Sequence, residues 1–324
     1  MNPLKVALVH RGHWYRYERI DGQFAYPVPE FTWTHHEVDK AFRVNLDELD
    51  ADVVWWDEAK HKDANCRFLP VKGRARQTPL VYYCLYPTLT MHHFRSRRER
   101  AKKFADVVCL EHDDLERWHG VHAGIYRLAY SVDENLYQPA PKTVDVGFYC
   151  FYGYSPERPA MAHWLADFCQ RKGYSFLTNQ GDSGRDYPQW LAKTKVVVHL
   201  NRTRRTRPPR IFDVAACGGA LLSHRMPEVS GEKWEAGVHY VAFDNPPPPD
   251  EMQPTDDRGG KTFNDADCTE VAAGLEWLLD GGNWETVAAQ ARAYVLKHHT
   301  WAVRAQELQA ILLRAFPSLK ERVA

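Results

Sequence analysis

From residue 201 to 219 the chain reads NRTRRTRPPRIFDVAACGG, and these residue types could hold an anion beside a polyol. Arg202, Arg204, Arg205, Arg207 and Arg210 offer planar guanidinium forks, which pair with phosphate oxygens two bonds at a time. Pro208 and Pro209 stand where a helix would begin, because the fixed φ of proline suits a first turn. The N-terminus of such a helix presents unpaired N–H groups and a partial positive charge. Asp213, one turn later, could accept hydrogen bonds from ribose hydroxyls. Gly218 and Gly219 would end the helix and let the backbone approach a ligand. With Asn201, which closes the preceding apolar run, these residues form a candidate binding set. A solvated basic loop followed by a tight Gly-Gly turn would carry the same letters, and both readings stand at this point.

Other constellations lie outside that stretch. His10, Arg11 and His13 follow the first apolar run. An imidazole titrates near working pH, so His10 or His13 could serve as a general base, and Arg11 could touch an anion. His92 and His93 follow YPTLTM and could play similar parts. In each case the plain alternative is a polar loop or helix start. The run RSRRERAKK (95–103), with Arg97 and Arg98, is a basic helix face, either solvated or gripping a polyanion together with KGRAR (72–76) and the arginines after Asn201. Glu111-His112-Asp113-Asp114 and Asp265-Ala266-Asp267 have the composition of metal clusters. Each precedes a helical pattern, where acidic residues cap, so no metal site is expected.

The elements that must position these residues follow from the apolar pattern. KVALVH (5–10), DVVWW (52–56), PLVYYC (79–84) and DVVCL (106–110) are continuous apolar runs, as are VDVGFYC (144–150), YSFL (174–177), KVVVHL (195–200), ALLS (220–223) and HYVAF (239–243). Such runs mark parallel strands covered on both faces. Helical spacing joins Met161, Trp164, Leu165, Phe168 and Cys169, then Val271, Leu275, Leu278 and Leu279, then Leu308, Ile311, Leu312 and Ala315. Strand-helix alternation in both halves predicts two doubly wound, Rossmann-like α/β domains, 1–139 and 140–324, divided where Pro139 and Pro141 sit in a polar stretch. The Pro-rich segment 245–261 reads as a surface loop of the second domain. Net charge is +0, so nothing global draws the chain to nucleic acid or membrane. The 7 cysteines are scattered without a CxxC pair, which predicts neither a disulfide framework nor a zinc site and suits the cytoplasm. The N-terminus reads as a first strand rather than a signal peptide, and no apolar stretch is long enough to span a membrane.

RIFDVAACGGALLSH, followed by MPEVSGEKWEAGVHYVAFDN, resembles the C-terminal domain of group 1 glycosyltransferases of the GT-B fold, most closely the spore-maturation (CgeB-like) branch. FADVVCLEHDDLERW, SVDENLYQP, VDVGFYCFYGYSPERPAM and HHTWAVRAQEL are similar, in order, to further pieces of that family between about residues 80 and 315. The resemblance implies two domains facing a cleft and a C-terminal helix that crosses back to the first domain. It implies a hexosyltransferase-type enzyme that moves a sugar from a nucleotide-diphosphate sugar, its co-substrate, to a hydroxyl acceptor, with no metal and no other cofactor. Donor binding would fall to Asn201, Arg207, Arg210, Asp213, Gly218 and Gly219, with Arg210 on the diphosphate and Asp213 on the ribose. Acceptor binding would fall to Arg11, His92, Arg97 and Arg98, and catalysis to His10, His13 or His93. Asp213 stands where the family has Glu, and Arg205 where the broader group has a second Glu beside the sugar. Two alternatives remain from the sequence: a transferase acting on modified bases of DNA, which the basic runs would serve, and an inactive nucleotide- or glycan-binding module of the same fold.

Overall fold

The computed structural model of the chain describes residues 2–10, 29–37, 49–57, 78–84, 98–99, 101–102, 105–110, 118–121, 123–150, 155–179, 186–201, 207–228, 231–248 and 261–324. The chain packs as two units, Met1–Tyr130 with Trp301–Ala324, and Ser131–Thr300. The C-terminal helices therefore belong to the first unit, as the expected returning helix requires.

The first unit holds β1 (Leu4–His10), β2 (Phe31–Glu37), β3 (Val53–Asp57), β4 (Leu80–Cys84), β5 (Val107–Leu110) and β6 (Gly124–Arg127). They form a parallel sheet in the order β2-β1-β3-β4-β5-β6. Trp56 meets Tyr82 edge-on at 4.9 Å, and Tyr82 in turn leans on Trp118, so aromatic residues fill this core. The four inner strands are the continuous apolar runs of the sequence. Both outer strands lack such a run. In β2, buried Phe31 is followed by exposed Thr32, half-buried Trp33 and exposed Thr34, and in β6 none of the four residues is fully buried. An edge strand covered on one face alternates, or is simply short, and leaves a weak pattern.

The second unit contains β7 (Val144–Tyr149), α1 (Glu157–Lys172), β8 (Phe176–Asn179), α2 (Tyr187–Ala192), β9 (Thr194–His199), α3 (Arg210–Ala216), β10 (Ala220–His224), β11 (Val241–Phe243), α4 (Thr269–Leu279) and α5 (Trp284–His298). The sheet is again parallel, ordered β11-β10-β9-β7-β8. Val146, Phe148, Val196, Val198 and Leu222 bury one face against Met161, Leu165 and Phe168 of α1 and Val271, Leu275 and Leu278 of α4. α3 packs on β10 and against α5. The helices α2 and α5 were not marked by apolar spacing. α2 is a single short element, and α5 buries two alanines among its four core residues, which gives little amphipathic contrast. The last helices are α6 (Trp301–Ala315) and α7 (Lys320–Val323), joined by a 3-10 turn. Among the described residues no helix is long and apolar enough to cross a membrane.

Candidate functional site

In the second sheet the chain runs from β7 outward to β8, then returns to place β9 on the other side of β7. The carboxyl ends of β7 and β9 therefore flank a topological switch point, the crevice where open α/β sheets bind ligands. His199 is the last residue of β9, Cys150 follows β7, and the side chain of Arg210 approaches His199 and lies within electrostatic reach of Cys150. Arg210 opens α3. Its Nε donates to the Tyr187 hydroxyl at 2.8 Å, and its Nη1 approaches Nδ1 of His199 at 3.3 Å. A guanidinium only donates, so His199 accepts at Nδ1 and carries its proton on Nε2.

Burial works against the charge of Arg210, but the Tyr187 hydroxyl that accepts from Nε and the nearby carboxylate of Asp213 favour it, so the guanidinium stays cationic. Burial also pushes the Tyr187 hydroxyl up and the Cys150 thiol up to about 11, so both remain protonated. Arg158, buried in the first turn of α1, joins Arg210 in acting on Cys150. Asp213 lies on the α2 side, within electrostatic reach of both Tyr187 and Arg210. Edge-on contacts with Tyr137 and Tyr149 hold the Tyr187 ring.

The start of α3 differs from the expected cradle of N–H groups. Pro208 and Pro209 have no N–H, and the N–H groups of Ile211, Phe212 and Asp213 donate back to the carbonyls of those two prolines. An anion here would meet side chains before backbone.

The candidate binding set divides in space. Arg210 lies at the switch point with Asp213 in electrostatic reach of it, and Asn201 follows the end of β9, its N–H donating to Nδ1 of His224 on β10 at 2.9 Å. Arg207 turns away and pairs with the carboxylate of Glu232, the two side chains only 7% and 11% exposed. Gly218 and Gly219 sit at the far end of α3, beside the amino ends of the strands. Their N–H groups bond the carbonyls of Ala215 and Val214, and Gly218 has φ 65°, the left-handed stop of a helix. A Cβ on Gly219 would meet the carbonyl oxygen of Thr194, the first residue of β9, at 3.2 Å. Lys142 completes this stop, donating to the carbonyls of Ala192 and Cys217 at 2.8 Å each. Burial lowers its ammonium to about 8.

In the first unit, Arg98 donates to the carbonyl of His119. Arg11, His13, His92, His93, Arg97, the acidic run 111–114 and the arginines at 202, 204 and 205 lie outside the described residues, as does the side chain of His10. Asp265 accepts from Trp164 Nε1 and Arg171, and Asn264 and Asp267 each accept the other's backbone N–H on a side-chain oxygen; the N-cap of α4 is Cys268, without a side-chain cap bond, so the acidic pair braces the turn before the helix rather than capping it as expected. The sequence reading missed His199, Tyr187, Arg158 and Glu232. His199 carried a usable signal, a polar residue at the carboxyl end of an otherwise apolar strand. The other three act through pairings distant in sequence.

Residues 162–310 match the model of a family described as glycosyl transferase-like. No curated protein sequence matches the chain. Among solved structures, HepE (Alr3699) of Anabaena in complex with UDP-glucose gives a TM-score of 0.56 at 16% identity, covering 95% of this chain and 99% of that one. A glycosyltransferase from Rickettsia africae ESF-5 gives 0.54 at 9% identity, covering 97% and 99%. Sucrose-phosphate synthase of Thermosynechococcus elongatus gives 0.52 at 10% identity, covering 97% and 100%. These likenesses are likenesses of fold, and the fold is GT-B.

Proposed function

We propose that this chain, whose fold and family match are those of a glycosyltransferase, moves a sugar from a nucleoside diphosphate donor to a hydroxyl acceptor without a metal ion. The observation that carries this reading is the Arg210 guanidinium, held at the β7/β9 switch point by hydrogen bonds to Tyr187 and His199 and kept charged beside Asp213. When the bond from the anomeric carbon to the diphosphate oxygen breaks, its electron pair leaves with the diphosphate. A cation fixed in advance against that oxygen stabilises the growing charge without reorganising. Arg158, on the neighbouring turn, adds to the same field. Asp213 would accept hydrogen bonds from the ribose hydroxyls, its shorter arm reaching one methylene less than the Glu of the resembled family.

Metal independence is supported by the cation pair and by Asp265, whose carboxylate is engaged by Trp164 and Arg171. The five described cysteines are buried and unbridged, which favours a reducing cytoplasm. A DNA acceptor finds less support: Arg207 is committed to Glu232 and Arg98 to a backbone carbonyl. HepE was solved with UDP-glucose, which makes uridine donors the first to try.

The test is a thermal-shift panel of UDP, GDP, dTDP, ADP and CDP, with and without EDTA, followed by diphosphate release from the sugar ester of whichever binds. A shift with one diphosphate that survives EDTA and is reduced by Asp213→Ala is the expected result. No shift with any of them overturns the reading and leaves a binding module of the same fold.

A further inference from the structure

Two side chains at the carboxyl ends of β9 and β10 have buried polar atoms with no hydrogen-bond partner among the described residues. Asn201 is 4% exposed, and among the described residues neither its Oδ1 nor its Nδ2 has a partner. The hydroxyl of Ser223 on β10 is fully buried and equally unpartnered. Ser223 pairs in register with His199, so both point to the sheet face on which α3 packs. Asn201 follows two residues later, tied to β10 through His224.

Leaving a buried amide with both halves unsatisfied forfeits the hydrogen bonds that water would make to each. Orphans of this kind are uncommon in native interiors and call for an explanation. A packing role does not supply one, since leucine would fill a similar volume without the penalty.

We infer that Asn201, assisted by Ser223, reads the hydroxyls of the sugar carried by the donor. This rests on the donor reading proposed above and adds to it the part of the donor that is recognised. If the diphosphate lies at Arg210, Asp213 marks the nucleoside side, toward α2, and Asn201 marks the opposite side, toward β10. At roughly 3.3 Å per extended residue, Asn201 sits about 7 Å beyond His199, the residue that touches Arg210. That is roughly the step from a diphosphate to the hydroxyls of its sugar.

The chemistry agrees with the placement. A carboxamide presents an acceptor and a two-proton donor side by side. Neighbouring sugar hydroxyls each donate and accept, so a vicinal pair satisfies both halves at once. A phosphate only accepts and would leave Oδ1 facing an anion. Both candidate side chains are neutral, which suits a neutral hexose.

The experiment compares the full-length wild type with Asn201→Ala and Ser223→Ala by titration calorimetry, using UDP and UDP-glucose, or the other binding diphosphate and its glucose ester. Asn201→Ala is expected to weaken the sugar ester about tenfold and to change the diphosphate less than about twofold. Ser223→Ala should weaken the ester about threefold. Neither should lower the melting temperature, because each removes an unsatisfied group. Unchanged ester affinity in both variants overturns the inference, as does an equal loss for ester and diphosphate, which would assign the amide to the nucleotide. Loss of folding in Asn201→Ala together with unchanged ester affinity in Ser223→Ala assigns the pair to structure and also overturns it. A wild type that binds neither ligand brings down the donor reading itself, a result distinct from the others.

Discussion

Arg207 and Glu232 form a buried ion pair that ties the turn entering α3 to the loop following β10. Three residues further on, Arg210 belongs to the switch point instead. The pair therefore braces the turn, while its neighbour Arg210 points to the carboxyl ends of the strands. Breaking a buried pair from one side strands a charge, which typically costs about 3–5 kcal/mol. Glu232→Ala is expected to lose stability on that order in urea denaturation. A midpoint equal to wild type would show that the pair contributes nothing.

Arg210 gives the sharpest test of the chemistry. Arg210→Ala should slow transfer more than Arg210→Lys, because lysine keeps the charge but loses the planar fork. Tyr187→Phe removes the acceptor that orients Nε, and a smaller loss of about three- to tenfold is expected. Rates equal to wild type in all three variants would remove the guanidinium from the mechanism.

Gly218 separates a helix stop from a ligand contact. At φ 65° an alanine would pay the left-handed penalty, about 1–2 kcal/mol. Gly218→Ala should therefore lower stability by that amount and leave diphosphate affinity unchanged, since it lies at the opposite end of α3 from Arg210. Weaker nucleotide binding with full stability would return it to the pocket, where the sequence reading placed it.

His224 predicts an acid-sensitive fold. Its Nδ1 accepts from Asn201 and its Nε2 donates to the carbonyl of Pro246 at 2.7 Å, so the neutral ring is satisfied on both sides. Burial lowers its pKa from 6.5 to about 4. The unfolded chain thus binds a proton that the folded chain refuses. This stabilisation is complete above the unfolded value and is lost as pH falls toward the folded one. The loss amounts to about 2 kcal/mol between roughly pH 7 and roughly pH 5. Urea midpoints should fall over that window in wild type and stay flatter in His224→Gln. Parallel curves would contradict the assignment.

The sequence by itself determined the inner strands of both sheets, because a strand covered on both faces must be apolar at every position. It also determined the helices with a broad apolar stripe and the helix that Pro208 and Pro209 open and Gly218 ends. Only the tertiary structure decided which of two arginines three residues apart is taken up by an ion pair and which lies at the switch point. One turn of chain sends Arg207 to Glu232, 25 positions away, and Arg210 to Tyr187, 23 positions back. The same holds for Gly218, whose letter suits a pocket and a helix stop equally until the direction of α3 puts it at the amino ends of the strands. Periodicity records how deeply a residue is buried, and burial is repeated along an element. Partners are set by sheet order and by the path of the loops, and those join residues that no local pattern connects.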